Sequence, residues 1–254
     1  MLDLAVVVPL YKDKLDALET YSLDRSLRAL DGRIILFAAP EGLDASFYRE
    51  RYRGVPFVFF EPRYFASIVG YNCLLLSDLF YSRFSGYEFV LILQTDAIIL
   101  RDDLDTWLKS PFDYVGAPWP SGHELFVNLG RFGGSCGRRV RVTVGNGGLS
   151  LRRTRRCRAL LAEFPEAIQV FERTGSSEDL FFAFMGSLSV DFVIPNEVTA
   201  SLFSMELRPD YYHAVNGGRL PMGGHAWWKS APDFWLQFLP DAPGLDFIPK
   251  VRDV

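Results

Sequence analysis

Asp96 stands inside the apolar run Leu91-Ile92-Leu93-Gln94-Thr95-Asp96-Ala97-Ile98-Ile99-Leu100. Gly86-Tyr87-Glu88 precedes the run and Arg101-Asp102-Asp103 follows it, so its flanks read as a buried strand. A carboxylate at the end of such a strand costs free energy unless it is paired, hydrogen-bonded or on a metal. Open α/β sheets take ligands at the carboxyl ends of their strands. That suits Asp96 to hold a cation that carries a phosphate. The competing role is a plain cap for the following turn.

Three other places carry residues of the right type. Gly145-Asn146-Gly147-Gly148 is a tight glycine cluster beside a strand. Without Cβ atoms a ligand can approach the backbone closely; Asn-Gly is equally a strong turn dipeptide, and taken alone the cluster reads as a hairpin turn. Ser176-Ser177-Glu178-Asp179 reads as a helix start, with serine capping and acids complementing the dipole. Either carboxylate could also face a cleft as a general base. His225, one of 3 histidines, lies between Gly223-Gly224 and Trp227-Trp228, which suggests a shaped site rather than a helix face. Arg138, Arg139, Arg141, Arg152, Arg153, Arg155, Arg156 and Arg158 form a basic cluster. It reads as a solvated face, or as a contact for an anionic surface such as lipid headgroups.

The elements that must hold these residues alternate in type. Strands are expected at Leu4–Val8, Ile34–Ala38, Phe57–Phe60 and through the Asp96 run, and helices at Ser22–Leu30 and Phe65–Phe84. That order predicts a mostly parallel sheet flanked by helices. Further on, the sequence predicts a strand at Tyr114–Ala117 stopped by Pro118-Trp119-Pro120, and a mobile loop over Glu124–Val140. It predicts a strand at Leu149–Leu151, helices at Thr154–Phe164 and from Ser177 to Met185, and a last strand at Asp191–Ile194. The part from Asn216 to Trp228 reads as irregular.

The 254 residues suit one large or two small domains, and 49% hydrophobic content supports a substantial core. Lys plus Arg number 27 against 31 Asp plus Glu, a net charge of −4, which disfavours nucleic acid as a partner. Cys73, Cys136 and Cys157 lie far apart, with no CxxC, and suggest a reduced compartment. No run reaches membrane-span length, and Met1 to Pro9 lacks the basic start of a secretory signal. The expectation is a cytoplasmic protein. No GxGxxG or GxxxxGK occurs.

These pieces, in this order, resemble the GT-A class of nucleotide-sugar glycosyltransferases. Val8-Pro9-Leu10-Tyr11 looks like the end of the family's first strand, which contacts the nucleotide base. Gln94-Thr95-Asp96 sits where the family has Asp-x-Asp. Asn146-Gly147-Gly148 resembles its Asn-x-Gly-Gly segment beside the donor sugar, Glu178-Asp179 its acidic pair, and His225 its carboxy-terminal metal ligand. Tyr71-Asn72, Asp113-Tyr114-Val115-Gly116-Ala117-Pro118-Trp119 and His225-Ala226-Trp227 extend the likeness toward a subfamily linked to microbial surface polysaccharide synthesis. The resemblance runs from about Val6 to Lys229. It departs at Gln94, where the family's first Asp usually touches ribose or base.

The resemblance implies a single GT-A (Rossmann-like) α/β domain over 1–254. Its nucleotide-binding half is about 1–100 and its donor-sugar and acceptor half about 101–230, with a tail at 231–254. It implies donor contacts from Pro9, Tyr11, Asn72, Gln94, Asp96, Asn146, Gly147, Gly148 and Lys229. Asp96 and His225 would hold Mn²⁺ or Mg²⁺, and Asp179 or Glu178 would be the base of an inverting transfer to a glycan or lipid-linked acceptor. Peripheral contact with the inner membrane face would run through Arg138–Arg158. A catalytically silent glycan-binding or scaffold domain is the alternative. A nucleotidyltransferase is disfavoured because Tyr11-Lys12-Asp13-Lys14 makes a poor phosphate loop.

Overall fold

The computed structural model describes residues 2–128, 137–239 and 241–243. Four parallel strands, β1 (Leu2–Pro9), β2 (Ile35–Pro40), β3 (Phe57–Phe60) and β4 (Tyr87–Leu93), form most of the main sheet. The short strand β5 (Ile98–Ile99) follows β4, and the hairpin of β6 (Tyr114–Asn128) and β7 (Gly137–Arg153) completes the main sheet. Its order is β3-β2-β1-β4-β7-β6, with β7 antiparallel to both neighbours. A second sheet, β5-β9-β8, uses β8 (Ser204–Met205) and β9 (Gly223–Gly224).

Val6, Val7, Val8, Leu91, Ile92 and Leu93 are fully buried, as central strands covered on both faces require. Val7 and Ile92 face one core, shared with α3 (Ile68–Leu75), α4 (Asp78–Arg83), α6 (Thr154–Glu163) and α8 (Glu178–Leu188). Val6, Val8, Leu91 and Leu93 face the other, with α1 (Ala17–Ala29), α2 (Ser46–Arg51), α5 (Leu104–Leu108) and α9 (Glu197–Phe203). Helices α7 (Pro165–Thr174) and α10 (Pro209–Val215) complete the coat. Trp227, Trp228 and Trp235, from α11 (Trp227–Ser230) and α12 (Pro232–Leu236), build a third cluster around Ile98 and Met205. Among the described residues no helix is long and apolar enough to cross a membrane.

Several expectations need correction. The single helix over Phe65–Phe84 is two. Ser77 Oγ accepts the Phe80 amide and donates to the Leu74 carbonyl at 2.6 Å, ending α3 and capping α4. The first helix starts earlier than Ser22 because Asp16 and Glu19 form a capping box. The strand at Tyr114 does not stop at Pro118-Trp119-Pro120. β6 is the edge of the sheet, where a proline's missing N–H costs nothing. The loop expected over Glu124–Val140 is strand at Glu124–Asn128 and Gly137–Val140; its centre, 129–136, lies outside the described residues. Asp191–Ile194 is not a strand. The Val193 carbonyl accepts the Asp113 amide at 2.8 Å and the Tyr114 amide at 3.5 Å, and its own amide donates to the Asp113 carboxylate at 2.9 Å.

Gly145–Gly148 is not a hairpin turn either. Val115 pairs with Leu151, yet Ala117 pairs with Asn146. Two steps along β6 therefore match five along β7, and three extra residues of β7 make a bulge between Asn146 and Leu151. A bulge bends a strand and re-aims its neighbours.

Candidate active site

The strand order places β1 between β2 and β4. Chains leave these strands in opposite directions, which opens a crevice at their carboxyl ends. A cavity of about 520 Å³ lies there. Pro9 and Tyr11 line it from the end of β1, and Gln94, Thr95 and Asp96 from the end of β4. The β7 bulge contributes Asn146, Gly147 and Gly148, and the start of α8 contributes Ser177, Glu178 and Asp179. Asn72 and Tyr71 come from α3, His225 from the turn after β9, and Lys229 from α11. Every site residue expected from the sequence thus borders one space.

Asp96 is the most heavily engaged. Its Oδ2 accepts a 2.6 Å hydrogen bond from Lys229 Nζ, and its Oδ1 lies 3.2 Å from His225 Nε2. Burial alone would raise its pKa, but the two cationic partners outweigh burial and hold the carboxyl well below the usual range. His225 faces Gln94 Oε1 at 3.2 Å through Nε2 and Glu206 Oε2 at 3.1 Å through Nδ1. Burial would lower the imidazole pKa; hydrogen bonds to Asp96 and Glu206 raise it to about 9. Ala226 takes φ of +46°, and the chain turns directly into α11, bringing Lys229 back over Asp96.

The glycines make room. A Cβ on Gly148 would overlap the His225 ring, and one on Gly147 would come within 2.6 Å of Glu178 Oε1. Asn146 holds the bulge: its Oδ1 accepts the Gly148 amide at 3.3 Å and its Nδ2 donates to Glu206.

The acidic pair divides. Glu178 is buried and accepts two bonds from Arg152, at 2.9 and 3.2 Å. Arg152 is itself fully buried, with further bonds to Ser150 Oγ and Tyr81 Oη and its guanidinium over the Tyr114 ring. Burial raises the Glu178 carboxyl and Arg152 pulls it back. Asp179 lines the cavity, with Oδ1 accepting the Leu180 amide at 2.8 Å. Glu178 therefore neither caps with its side chain nor faces solvent, and Asp179 is the carboxylate open to a ligand. Asn72 accepts the Glu178 amide at 3.4 Å and so caps α8.

The basic cluster changes meaning. Arg152 is withdrawn from the surface because it neutralises Glu178. Arg153 pairs with Glu88 and Asp113, and Arg158 pairs with Asp78 at 2.7 Å. Arg156 is 3.9 Å from Asp113 and Arg139 is 3.7 Å from Glu124. Arg141 donates to the Ser121 carbonyl at 3.0 Å. The Arg138 side chain lies outside the described residues.

Asp96 Oδ1, His225 Nε2 and Gln94 Oε1 are the atoms that could hold a divalent ion. The 3.2 Å separations from His225 are close to the roughly 3 Å between neighbouring donors around an octahedral ion with bonds of about 2.1 Å. Glu206 on Nδ1 stands where a carboxylate would orient the ring if Nε2 held a metal. Metal binding at Nε2 requires loss of its proton. Among the described residues no group of three or more His, Cys, Asp or Glu side chains is placed to hold a metal, so a diphosphate would have to complete the shell.

Glu206 and the Arg152–Glu178 partnership escaped the sequence reading. No signal marks Glu206, a lone acid after the short Ser204-Met205 strand. Arg152 alternates with Leu149 and Leu151 along a central strand, and an arginine on the second face of such a strand must find a buried partner.

The model of a family described as "Protein of unknown function (DUF5672)" matches residues 54–225. No curated protein matches the chain. Solved structures do. The galactosyltransferase LgtC, in complex with donor and acceptor sugar analogs, aligns over 97% of this chain and 98% of its own, with 14% identity and a TM-score of 0.56. An active-site mutant of LgtC gives 13% identity and a TM-score of 0.54 over the same shares. The apo form of mouse xyloside xylosyltransferase 1 aligns over 88% of this chain and 97% of its own, at 12% identity and a TM-score of 0.51. These likenesses are of fold: the chain has the mostly parallel, helix-flanked sheet of GT-A glycosyltransferases.

Proposed function

The chain belongs to the DUF5672 family, and we propose that it transfers a sugar from a nucleotide-sugar donor to a hydroxyl of a glycan or lipid-linked acceptor. The reading rests on one observation above all. At the crevice between β1 and β4, a carboxylate gripped by His225 and Lys229 shares a cavity with the cavity-facing carboxylate of Asp179. The GT-A resemblance of the motifs supports the same reading, and with it a place in microbial surface polysaccharide synthesis.

In this scheme Pro9 and Tyr11 border the base. Asp96, His225 and Gln94 would hold Mn²⁺ or Mg²⁺, which when bound supplies positive charge against the leaving diphosphate. Lys229 moves from Asp96 toward the phosphates and adds its own charge. Gly147 and Gly148 let the donor lie against the β7 backbone. Asp179 takes the proton of the acceptor hydroxyl as its oxygen bonds to the anomeric carbon and the bond to the diphosphate breaks. That displacement inverts the anomeric centre. Arg155 and Arg156 remain as the groups for a peripheral contact with anionic lipid.

A second reading, a catalytically silent sugar-binding or scaffold domain, draws on two features. Gln94 replaces an acid, and Lys229 already bonds Asp96 at 2.6 Å. Incubation with nucleotide sugars and Mn²⁺ separates the two. Slow release of nucleoside diphosphate supports a transferase. Stabilisation by ligand without turnover supports the silent domain, and no response to any nucleotide sugar removes both.

A further inference from the structure

Helix α6 begins against the usual chemistry. Its first turn holds no acid, and Arg155 and Arg156 stand there instead. Among the described residues no side chain caps it. The dipole makes this end of a helix positive, so cations are unfavourable there, and the first amides lack helical partners. Other helices of the chain follow the rule. Helix α1 opens with its Asp16–Glu19 capping box and α8 with Glu178 and Asp179.

A second cavity, of about 790 Å³, lies at this helix start, bordered by Thr154, Arg155 and Arg156. It shares no lining residue with the cavity at Asp96. Arg153 pairs with Phe89 and Leu149 with Leu93, so most of the length of β4 separates the two. Arg153 and Arg158 also border the second cavity, but Glu88, Asp113 and Asp78 engage them. Arg155 and Arg156 are exposed; Arg156 lies 3.9 Å from Asp113, and Arg155 makes no ion pair among the described residues. Thr154 is only 2% exposed, and its hydroxyl has no hydrogen-bond partner among the described residues. Native proteins keep few such groups, because an unpaired buried hydroxyl costs free energy.

We propose that the start of α6 is a phosphate site, where Thr154 Oγ1, the first-turn amides, Arg155 and Arg156 hold one phosphate group. A tetrahedral oxyanion can accept from all of these donors at once. Arginine forks and the amino ends of helices both suit it, and its charge reverses the cost of placing arginines at a positive helix end. The cavity has room for more than the bare ion, so the phosphate belongs to a lipid headgroup or to a soluble phosphorylated molecule. The site does not depend on sugar transfer at Asp96.

Calorimetry at low salt without Mn²⁺ tests this, with inorganic phosphate and glycerol 3-phosphate as probes. Flotation with phosphatidylcholine vesicles, with and without phosphatidate, separates the two sources. The proteins are the parent, Thr154→Val and the double variant Arg155→Gln/Arg156→Gln. The parent should bind phosphate, and the amides of residues 154–156 should shift in its NMR spectrum on titration. The double variant should bind at least tenfold more weakly. Thr154→Val should bind roughly tenfold more weakly, as the loss of one hydrogen bond to a charged group implies. Without phosphate, neither variant should melt below the parent. Capture by phosphatidate vesicles that the double variant loses assigns the phosphate to a headgroup. Binding of the soluble probes alone assigns it to a soluble molecule. A parent that binds neither the soluble probes nor phosphatidate vesicles overturns the proposal. Binding that both variants retain puts the ion elsewhere and overturns it too, as does a lower melting temperature in Thr154→Val, which would make the hydroxyl part of the fold.

Discussion

Arg152 and Glu178, 26 residues apart in the chain, meet as a doubly hydrogen-bonded ion pair at 2.9 and 3.2 Å under the wall of the cavity. The pair explains why β7 bulges with glycine above it. A Cβ on Gly147 would lie 2.6 Å from Glu178 Oε1 and 3.0 Å from Arg152 Nη2, so only glycine leaves the pair its room. It also explains why two adjacent acids do different work. Glu178 faces inward to Arg152, which leaves Asp179 to face the cavity.

Substitutions should separate those two acids cleanly. Glu178→Gln strands a buried guanidinium and should cost about 3–5 kcal/mol of stability, seen as a lower urea midpoint. Asp179→Asn should leave the midpoint nearly unchanged and lower turnover roughly 10²–10⁴-fold. Near-parent turnover in Asp179→Asn would remove it as the base, and the anomeric configuration of the product would then decide the mechanism.

Asp96→Asn should keep the fold and abolish Mn²⁺-dependent nucleotide binding. Calorimetry with nucleoside diphosphate, with and without the metal, provides the check. Binding as tight as the parent's would show that the carboxylate holds no metal. Loss of cooperative unfolding would show that it serves the fold alone.

His225→Ala should weaken metal-dependent binding at least tenfold. His123 packs edge-on against Trp119 and His213 packs against Phe234 and Phe238, so alanine at either should change binding little. Three equal effects would leave no reason to single out His225.

Gly148→Ala should reproduce much of the His225→Ala defect without touching the histidine. The added methyl overlaps the imidazole ring, so the ring must turn away from Gln94 and Asp96. Overpacking of this kind costs about 1–3 kcal/mol. Unaltered metal affinity in a folded Gly148→Ala variant would show that the ring's position does not matter.

Charge reversal at Arg155 and Arg156 should weaken any binding to vesicles of anionic lipid, and do so less at high salt, since exposed charges are screened beyond about 10 Å at 0.1 M. Arg152→Glu should instead unfold the protein. A parent that ignores anionic vesicles at low salt ends the membrane proposal.

What the sequence reveals here depends on range. The strand around Asp96 is legible because Leu91, Ile92 and Leu93 form an unbroken apolar run, and Phe57–Phe60 because Pro62 follows it closely. The break at Ser77 is not, since a serine inside an apolar helix pattern looks the same whether it points outward or caps. The glycine bulge mimics a turn because both need residues without Cβ; only the pairing of β6 with β7 tells them apart. Most hidden is the Asn146–Glu206–His225 chain, whose members come from β7, the end of β8 and the turn after β9. Nothing local in Met205-Glu206-Leu207 announces that it will hold a ring 19 residues away.

Asp96 occupies the short link between β4, in the main sheet, and β5, in the small one. The β7 bulge is fastened to the main-sheet side, since Gln94 N–H donates to the Gly148 carbonyl at 2.9 Å. His225 and Lys229 follow β9, which belongs to the small sheet. Any rocking of one sheet against the other must therefore open or close the gap between the carboxylate and its cations. A diphosphate gripped from both sides would work as a clasp, so that the ligand itself sets how tightly the two sheets stand together. Amide exchange at Gly223 and Gly224, slowed by nucleotide while that at the far end of β4 is not, would reveal the clasp closing.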